Sequence, residues 1–211
     1  MVVRDKMINI ESQSRKDYYM DGEEKFGYFT SRIYNMTKLS GTIRDFYRFI
    51  TDDIRKIRPA RILDIGSGTG TILMTVLKEN PEISGIGIDP SKHMVRKANL
   101  KSKRKGLSGR LRFLQGSSRH IEVSQKFPLI ISSLSFHHWK ERNASLVNIM
   151  KYLDESGKFI VYEMYDDGSL NRKLVKSHLM SSDDFKRISE ATGFPVDISV
   201  QKGILKAVYS R

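Results

Sequence analysis

The sequence predicts an α/β fold: a doubly wound, mostly parallel seven-stranded sheet with helices on both faces, a C-terminal antiparallel hairpin and an N-terminal helical extension. Three observations lead there. Short apolar runs recur along the chain, and most are separated by stretches whose apolar residues fall at helical spacing. The run at Ile62, Leu63 and Ile65 is followed by glycines at 66, 68 and 70 and then by an amphipathic stretch over Thr69 to Lys78. Strand, glycine turn and helix together open a ligand crevice at the carboxyl edge of such sheets. The last two runs, Val196 to Gln201 and Ile204 to Tyr209, flank Lys202-Gly203, a two-residue hairpin signal.

A length of 211 residues suits one domain with a sizeable core. With 39% hydrophobic and 29% charged residues, and no apolar run of membrane-span length, the chain is expected to be a globular cytoplasmic protein. Met1 to Asn9 does not read as a signal peptide. The absence of cysteine excludes disulfides, thiolate zinc sites and cysteine nucleophiles. The net charge of +13 attracts nucleic acid, acidic membrane surfaces or anionic metabolites. Many basic cytosolic proteins carry such a charge as a solvated surface, and that reading is preferred over nucleic-acid binding.

In chain order, Met1 to Ser14 is polar and reads as an arm. Phe29, Ile33 and Met36 predict a helix over Glu23 to Lys38, followed by a break at Ser40-Gly41. Ile43, Phe46, Tyr47, Ile50, Ile54 and Ile57 lie on one face of a second helix that Pro59 ends. The chain therefore divides into residues 1–41, an arm with a helical segment, and residues 42–211, the sheet domain.

Ala60 to Gly70 (ARILDIGSGTG) is the stretch the rest is organised around. Its glycines permit positive φ and close approach of a ligand. A dinucleotide fingerprint needs G-x-G-x-x-G, but position 71 is threonine and the third glycine comes one residue early. A bare glycine turn after a strand is the bland alternative. Asp64-x-Gly66-x-Gly68-x-Gly70 resembles motif I of the class I S-adenosylmethionine methyltransferases. The resemblance implies that Asp64, Gly66, Ser67, Gly68 and Gly70 hold the methionine end of that cofactor.

Ile83 to Ile88 predicts the second strand, ending at Asp89-Pro90-Ser91. An acid there, about twenty residues past the glycines, suits a pair of ribose hydroxyls; the alternative is a helix N-cap. GIGIDPS is similar to the family's motif II, which puts Pro90 near the adenine. Ser91 to Lys105 reads as a helix with the strongest basic cluster in the chain, taken as a solvated face because no aromatic interleaves the charges. Leu111 to Leu114 predicts the third strand, leading into Gln115-Gly116-Ser117-Ser118. The family has an acid where Ser117 stands, so the resemblance assigns Ser117 and Ser118 to the adenine edge through a neutral hydroxyl; the alternative is that both are plain turn residues.

Phe127 to Ser133 (FPLIISS) predicts the fourth strand, and Leu134 to Trp139 (LSFHHW) is similar to the family segment that follows it, at the mouth where methyl group and acceptor meet. Ser133 is then a cofactor contact, and His137 and His138 are the general-base candidates, since histidine titrates near neutral pH. Packing under the sheet edge or helix capping is the alternative for each. No metal site is expected, because adjacent histidines do not share a face. Glu141 to Leu153 reads as a helix, Asp154 to Gly157 as a turn and Lys158 to Met164 as the fifth strand. Glu163, Tyr165, Asp166 and Asp167 near its end are candidate substrate contacts, with a solvated loop the preferred reading for most of them. Ser182 caps a helix over Asp183 to Thr192.

The resemblance covers about Arg44 to Arg211. It implies a methyltransferase that uses S-adenosylmethionine on a small-molecule acceptor, with residues 1–41 contributing a lid; the alternative for that segment is an added helix packed on the sheet edge. Phe29 to Gly41 is loosely similar to the entry segment of ubiquinone/menaquinone-type methyltransferases. An RNA or protein methyltransferase, or a non-catalytic cofactor-binding protein, are the alternatives.

Overall fold

The computed structural model describes residues 40–165 and 179–211. The expected arm, the helix over 23–38 and the connection at Asp166 and Asp167 lie outside the described residues. The elements are α1 (Ser40–Ile57), β1 (Arg61–Ile65), α2 (Thr71–Glu79), β2 (Ser84–Asp89), α3 (Lys92–Arg104), β3 (Leu111–Gln115) and β4 (Phe127–Ser133), then a 3-10 turn (Phe136–His138), α4 (Arg142–Met150), β5 (Leu153–Met164), α5 (Ser182–Thr192), β6 (Val196–Gln201) and β7 (Ile204–Tyr209).

These strands form one seven-stranded sheet in the order β3-β2-β1-β4-β5-β7-β6. The first five pair in parallel, and β7 runs antiparallel to both β5 and β6. The chain winds outward from β1 to β3 and then returns to β4 on the other side of β1. That reversal opens a crevice above the carboxyl ends of β1 and β4, where this class of sheet binds its ligands.

Central strands buried on both faces read as continuous apolar runs. Successive residues of β1 accordingly serve opposite cores. Ile62 faces a core with Phe46, Ile50 and Ile54 of α1 and Leu73 and Leu77 of α2. Leu63 faces the other, with Leu146 and Ile149 of α4 and Phe185 of α5. The four-residue spacing of Phe46, Ile50 and Ile54 lays one stripe of α1 on the sheet. Polar contacts fix its angle: the Tyr162 hydroxyl donates to Asp53 Oδ2 at 2.6 Å, and Lys206 Nζ lies 2.6 Å from the same oxygen. Among the described residues no helix is long and apolar enough to cross a membrane.

Several expected boundaries shift. The break expected at Ser40-Gly41 lies inside α1, which starts at Ser40, and α4 stops at Met150, short of Leu153, which opens β5. β5 starts at Leu153, so Asp154 to Gly157 lies inside the strand. There the pairing jumps from Phe127–Leu153 to Leu129–Lys158, a bulge that absorbs the extra residues. Helix α2 starts at Thr71 because Gly70 sits at φ 75°, outside helical geometry. Ser181 replaces Ser182 as the cap of α5, since only Ser181 stands three residues before Asp184 and completes a reciprocal capping box.

Candidate active site

The bend after β1 is held by β2. The N–H groups of Gly66 and Ser67 both donate to the carbonyl of Ile88, at 2.8 and 3.0 Å. Gly66 has φ 78°, and a Cβ there would lie 1.9 Å from Ser135 Oγ. Gly70 has φ 75°, and a Cβ would lie 2.2 Å from the ring of Phe113. Any side chain at either position is strained twice, by conformation and by contact. The space beside Gly68 is open, with nothing within 4 Å of where a Cβ would stand.

Asp89 ends β2 directly against this bend. Its Oδ2 accepts from the N–H of Gly68 at 2.8 Å and its Oδ1 from the N–H of Ser91 at 2.9 Å. Burial raises its pKa, and the two N–H donors oppose that shift. Asp64 is completely buried. Burial, reinforced by the nearby charge of Asp89, pushes its carboxyl up to about 8. Tyr47 of α1 is raised by burial and by the charge of Asp64.

Asp64 Oδ1 and Ser67 Oγ are buried and have no hydrogen-bond partner among the described residues. A buried polar atom without a partner costs about 1–3 kcal/mol, so the bend calls for a ligand that brings donors. The amino group and positive charge of S-adenosylmethionine meet that need, and the open side of Gly68 leaves room for close approach. The residues present fit this cofactor.

The adenine-edge candidates divide. Ser117 is buried, exchanges backbone hydrogen bonds with His120, and has its Oγ 3.4 Å from His120 Nδ1. The Ser118 hydroxyl lies 2.8 Å from that of Ser145, pinning the β3–β4 connection to α4. Pro90 is buried, and its carbonyl accepts from Gln115 Nε2 at 3.1 Å. Ser133, half-buried, closes β4 opposite Tyr162. Leu134 then takes φ 48°, and its N–H donates to the Tyr162 carbonyl at 3.0 Å. A non-glycine residue in that region marks a backbone held by its surroundings.

Beyond Leu134, Ser135 joins two parts of the site. Its side chain occupies the space under Gly66, and its hydroxyl accepts from Trp139 Nε1 at 3.2 Å. Phe136 and Trp139 anchor the turn in the core against Phe159. His137 and His138 are both buried, with ring centroids 4.0 Å apart. His137 Nδ1 lies 2.8 Å from Glu163 Oε2, and the His137 N–H donates to Glu163 Oε1 at 3.2 Å. Arg142 holds the turn from outside, donating to the His137 carbonyl at 2.7 Å.

In the sequence Glu163 is one of four candidate substrate contacts at the ligand edge, and no local pattern shows its pairing with His137. The signal of its burial was a lone acid closing the apolar run FIVY on a strand expected to be central. Among the described residues no cluster of three or more His, Cys, Asp or Glu side chains is placed to hold a metal ion.

The family model of a methyltransferase domain matches residues 58–202. An uncharacterized methyltransferase of Alkaliphilus oremlandii is 29% identical over 129 residues, 60% of this chain and 56% of its own length. The phenazine O-methyltransferase PhzM of Lysobacter antibioticus is 24% identical over 195 residues, 83% of this chain and 56% of its own length. The chain thus spans about half the length of these relatives. The plantazolicin methyltransferase BpumL, solved with a monoazolic desmethylPZN analog and SAH, superposes with a TM-score of 0.65 at 14% identity, covering 86% of this chain and 88% of that one. That likeness shows the fold. With its bend, its carboxylate at 89 and a family match that runs through both, the chain belongs to the methyltransferase domain family, whose cofactor is S-adenosylmethionine.

Proposed function

We propose that the chain transfers a methyl group from S-adenosylmethionine to a small-molecule acceptor that gives up a proton, such as a hydroxyl. The observation that carries this reading is the buried His137–Glu163 pair at the ligand edge of the sheet. When bound, the sulfonium supplies an electrophilic methyl. The chain's own work is then to hold, orient and desolvate. Asp64 and the glycine bend take the methionine end, Asp89 the ribose hydroxyls, and Ser117 the adenine edge.

Glu163 accepts from Nδ1–H of the neutral imidazole, which leaves Nε2 of His137 as the basic nitrogen. The acceptor proton passes to that nitrogen as the oxygen takes the methyl group. Glu163 is a positioning residue in this scheme. It fixes the ring through the backbone N–H and the side chain together, and it stabilises the imidazolium that forms. The similarity to the Lysobacter phenazine O-methyltransferase supports an oxygen acceptor on a small aromatic.

The test is incubation with methyl-labelled S-adenosylmethionine and a cell extract, then separation of small molecules from RNA and protein. Label in the small-molecule fraction, lost with Glu163→Gln, is the expected result. Label in RNA or protein instead would sink the reading.

A further inference from the structure

We propose that the sheet edge formed by α3 and β3 is a docking surface for the sugar–phosphate backbone of a nucleic-acid duplex. From Pro90 to Ile121 the chain contains ten Lys and Arg residues and no Asp or Glu. Taking these ten from the total of 37 leaves 27 bases against 24 acids in the rest of the chain. The net charge of the protein is therefore concentrated in one segment. A basic but merely solvated surface intermixes its signs, as this chain does elsewhere: Arg48 pairs with Asp45, Arg55 with Asp52 and Arg187 with Asp184.

The fold turns that segment into a face. β3 is the outermost strand at its end of the sheet. Helix α3 packs on it through Ala98 and Ser102, and Asn99 exchanges two hydrogen bonds with the backbone of Phe113, at 2.8 and 3.0 Å. Those contacts fix which side of α3 looks outward. Lys92, Arg96 and Lys103 form one row on it, and Lys97 and Arg104 a second; all five are exposed, as is Arg112 on β3. At 1.5 Å per residue the first row is about 16 Å long. None of these six pairs with an acid among the described residues. Arg110 is a different case, since its guanidinium is spent on the carbonyls of Leu77, Asn80 and Ile83.

The chemistry of the face selects its partner. Leu100 is its only exposed large apolar side chain, too little for membrane insertion or for the aromatic core of a protein interface. The one aromatic in the segment, Phe113, is buried, so unpaired bases find no stacking platform. What remains is recognition of closely spaced phosphates on a stiff double helix. The rows start beside Asp89 and run away from it, so docking leaves the His137 side of the site clear and does not require the nucleic acid to be the methyl acceptor.

The test is fluorescence anisotropy with labelled RNA and DNA duplexes of equal length over a range of salt. Wild type should bind, with log K falling against log salt at a slope of about −4 to −5 if some five phosphates are neutralised. The triple change Lys97→Glu, Lys103→Glu, Arg104→Glu should lose about tenfold or more of that affinity, since each lost phosphate contact counts. A control triple with the same charge change elsewhere, Lys56→Glu, Lys151→Glu, Lys202→Glu, should lose far less. Circular dichroism and cofactor affinity should match wild type in both. Tighter binding of one duplex identifies the source of the phosphates. No binding at low salt, equal loss in the two triples, or equal capture of polyglutamate or of anionic vesicles would each overturn the proposal.

Discussion

Gly68 and Asp89 are joined by a 2.8 Å hydrogen bond across 21 residues of sequence, from a backbone N–H to a carboxylate oxygen. The ribose candidate and the glycine bend are thus one unit. Asp89→Ala strands the N–H groups of Gly68 and Ser91 together, at about 1–3 kcal/mol each. Those two losses should lower the melting temperature, and the loss of the carboxylate proposed for the ribose should lower cofactor affinity by about tenfold or more, at about 1.5–3 kcal/mol for a charged hydrogen bond. Asp89→Asn, which keeps one acceptor, should fall between the two. Calorimetry with S-adenosylmethionine and a thermal melt measure both effects.

With Asp64 at the cofactor's methionine end, as proposed, cofactor binding should be pH-dependent. Its carboxyl is held up to about 8, chiefly by burial, while the unfolded chain titrates it near 4. In the ligand-free protein its contribution to stability is complete below about pH 4 and is lost as pH rises toward about 8, because only the unfolded state sheds its proton in that window. Asp64→Asn should flatten this slope, so its melting temperature should hold up better than wild type toward pH 8. A cationic ligand has the opposite pull. It favours the ionised carboxylate, so affinity should rise with pH to about 8, with proton release visible as a buffer-dependent calorimetric enthalpy.

Glu163→Gln tests the orientation of His137. Glutamine keeps one acceptor for the backbone N–H, but its amide nitrogen donates. It would meet Nδ1 only where Nδ1 accepts, which moves the ring proton to Nε2 and leaves an imidazolium without its counter-charge. A drop in kcat of about 10²–10⁴-fold with little change in KM is expected, since general-base catalysis is worth that much. His137→Ala should lose as much. A purely structural role for Glu163 would instead appear as a lower melting temperature with kcat intact.

Gly70→Ala should cost about 2–4 kcal/mol, combining left-handed strain with overlap onto Phe113. Gly70→Ala with Phe113→Leu should recover the overlap part alone. Gly68→Ala, at φ 53° but with open space beside it, should cost only the left-handed strain, about 1–2 kcal/mol, and should weaken cofactor binding as well. Urea melts and calorimetry separate the three.

Tyr162→Phe removes the hydroxyl that donates to Asp53 and should cost about 1 kcal/mol. Asp53→Ala should cost more, because it leaves both the Tyr162 hydroxyl and Lys206 without their acceptor. A double-mutant cycle gives the coupling between them.

Much of the sheet was legible because buried parallel strands write themselves as apolar runs, and β1, β2 and β4 are such runs. The bulge at Asp154 to Gly157 was not, because those polar residues also spell a turn, and only pairing with β4 draws them into β5. In the site, Asp64, Asp89 and the glycines announce themselves by spacing. The Glu163–His137 contact spans 26 residues and depends on β5 lying beside β4, which no local pattern encodes. Ser117 and Ser118 look alike in sequence, and only the packing of α4 separates their surroundings.

Ser135 sits beneath the bend at Gly66 and also receives the indole N–H of Trp139. One small hydroxyl therefore serves as the common floor of the two halves of the crevice. Enlarging it would lift the bend and unseat the indole in a single stroke, so the two halves tolerate no independent drift: in the proposed site, this position would tie the placement of one reactant to that of the other.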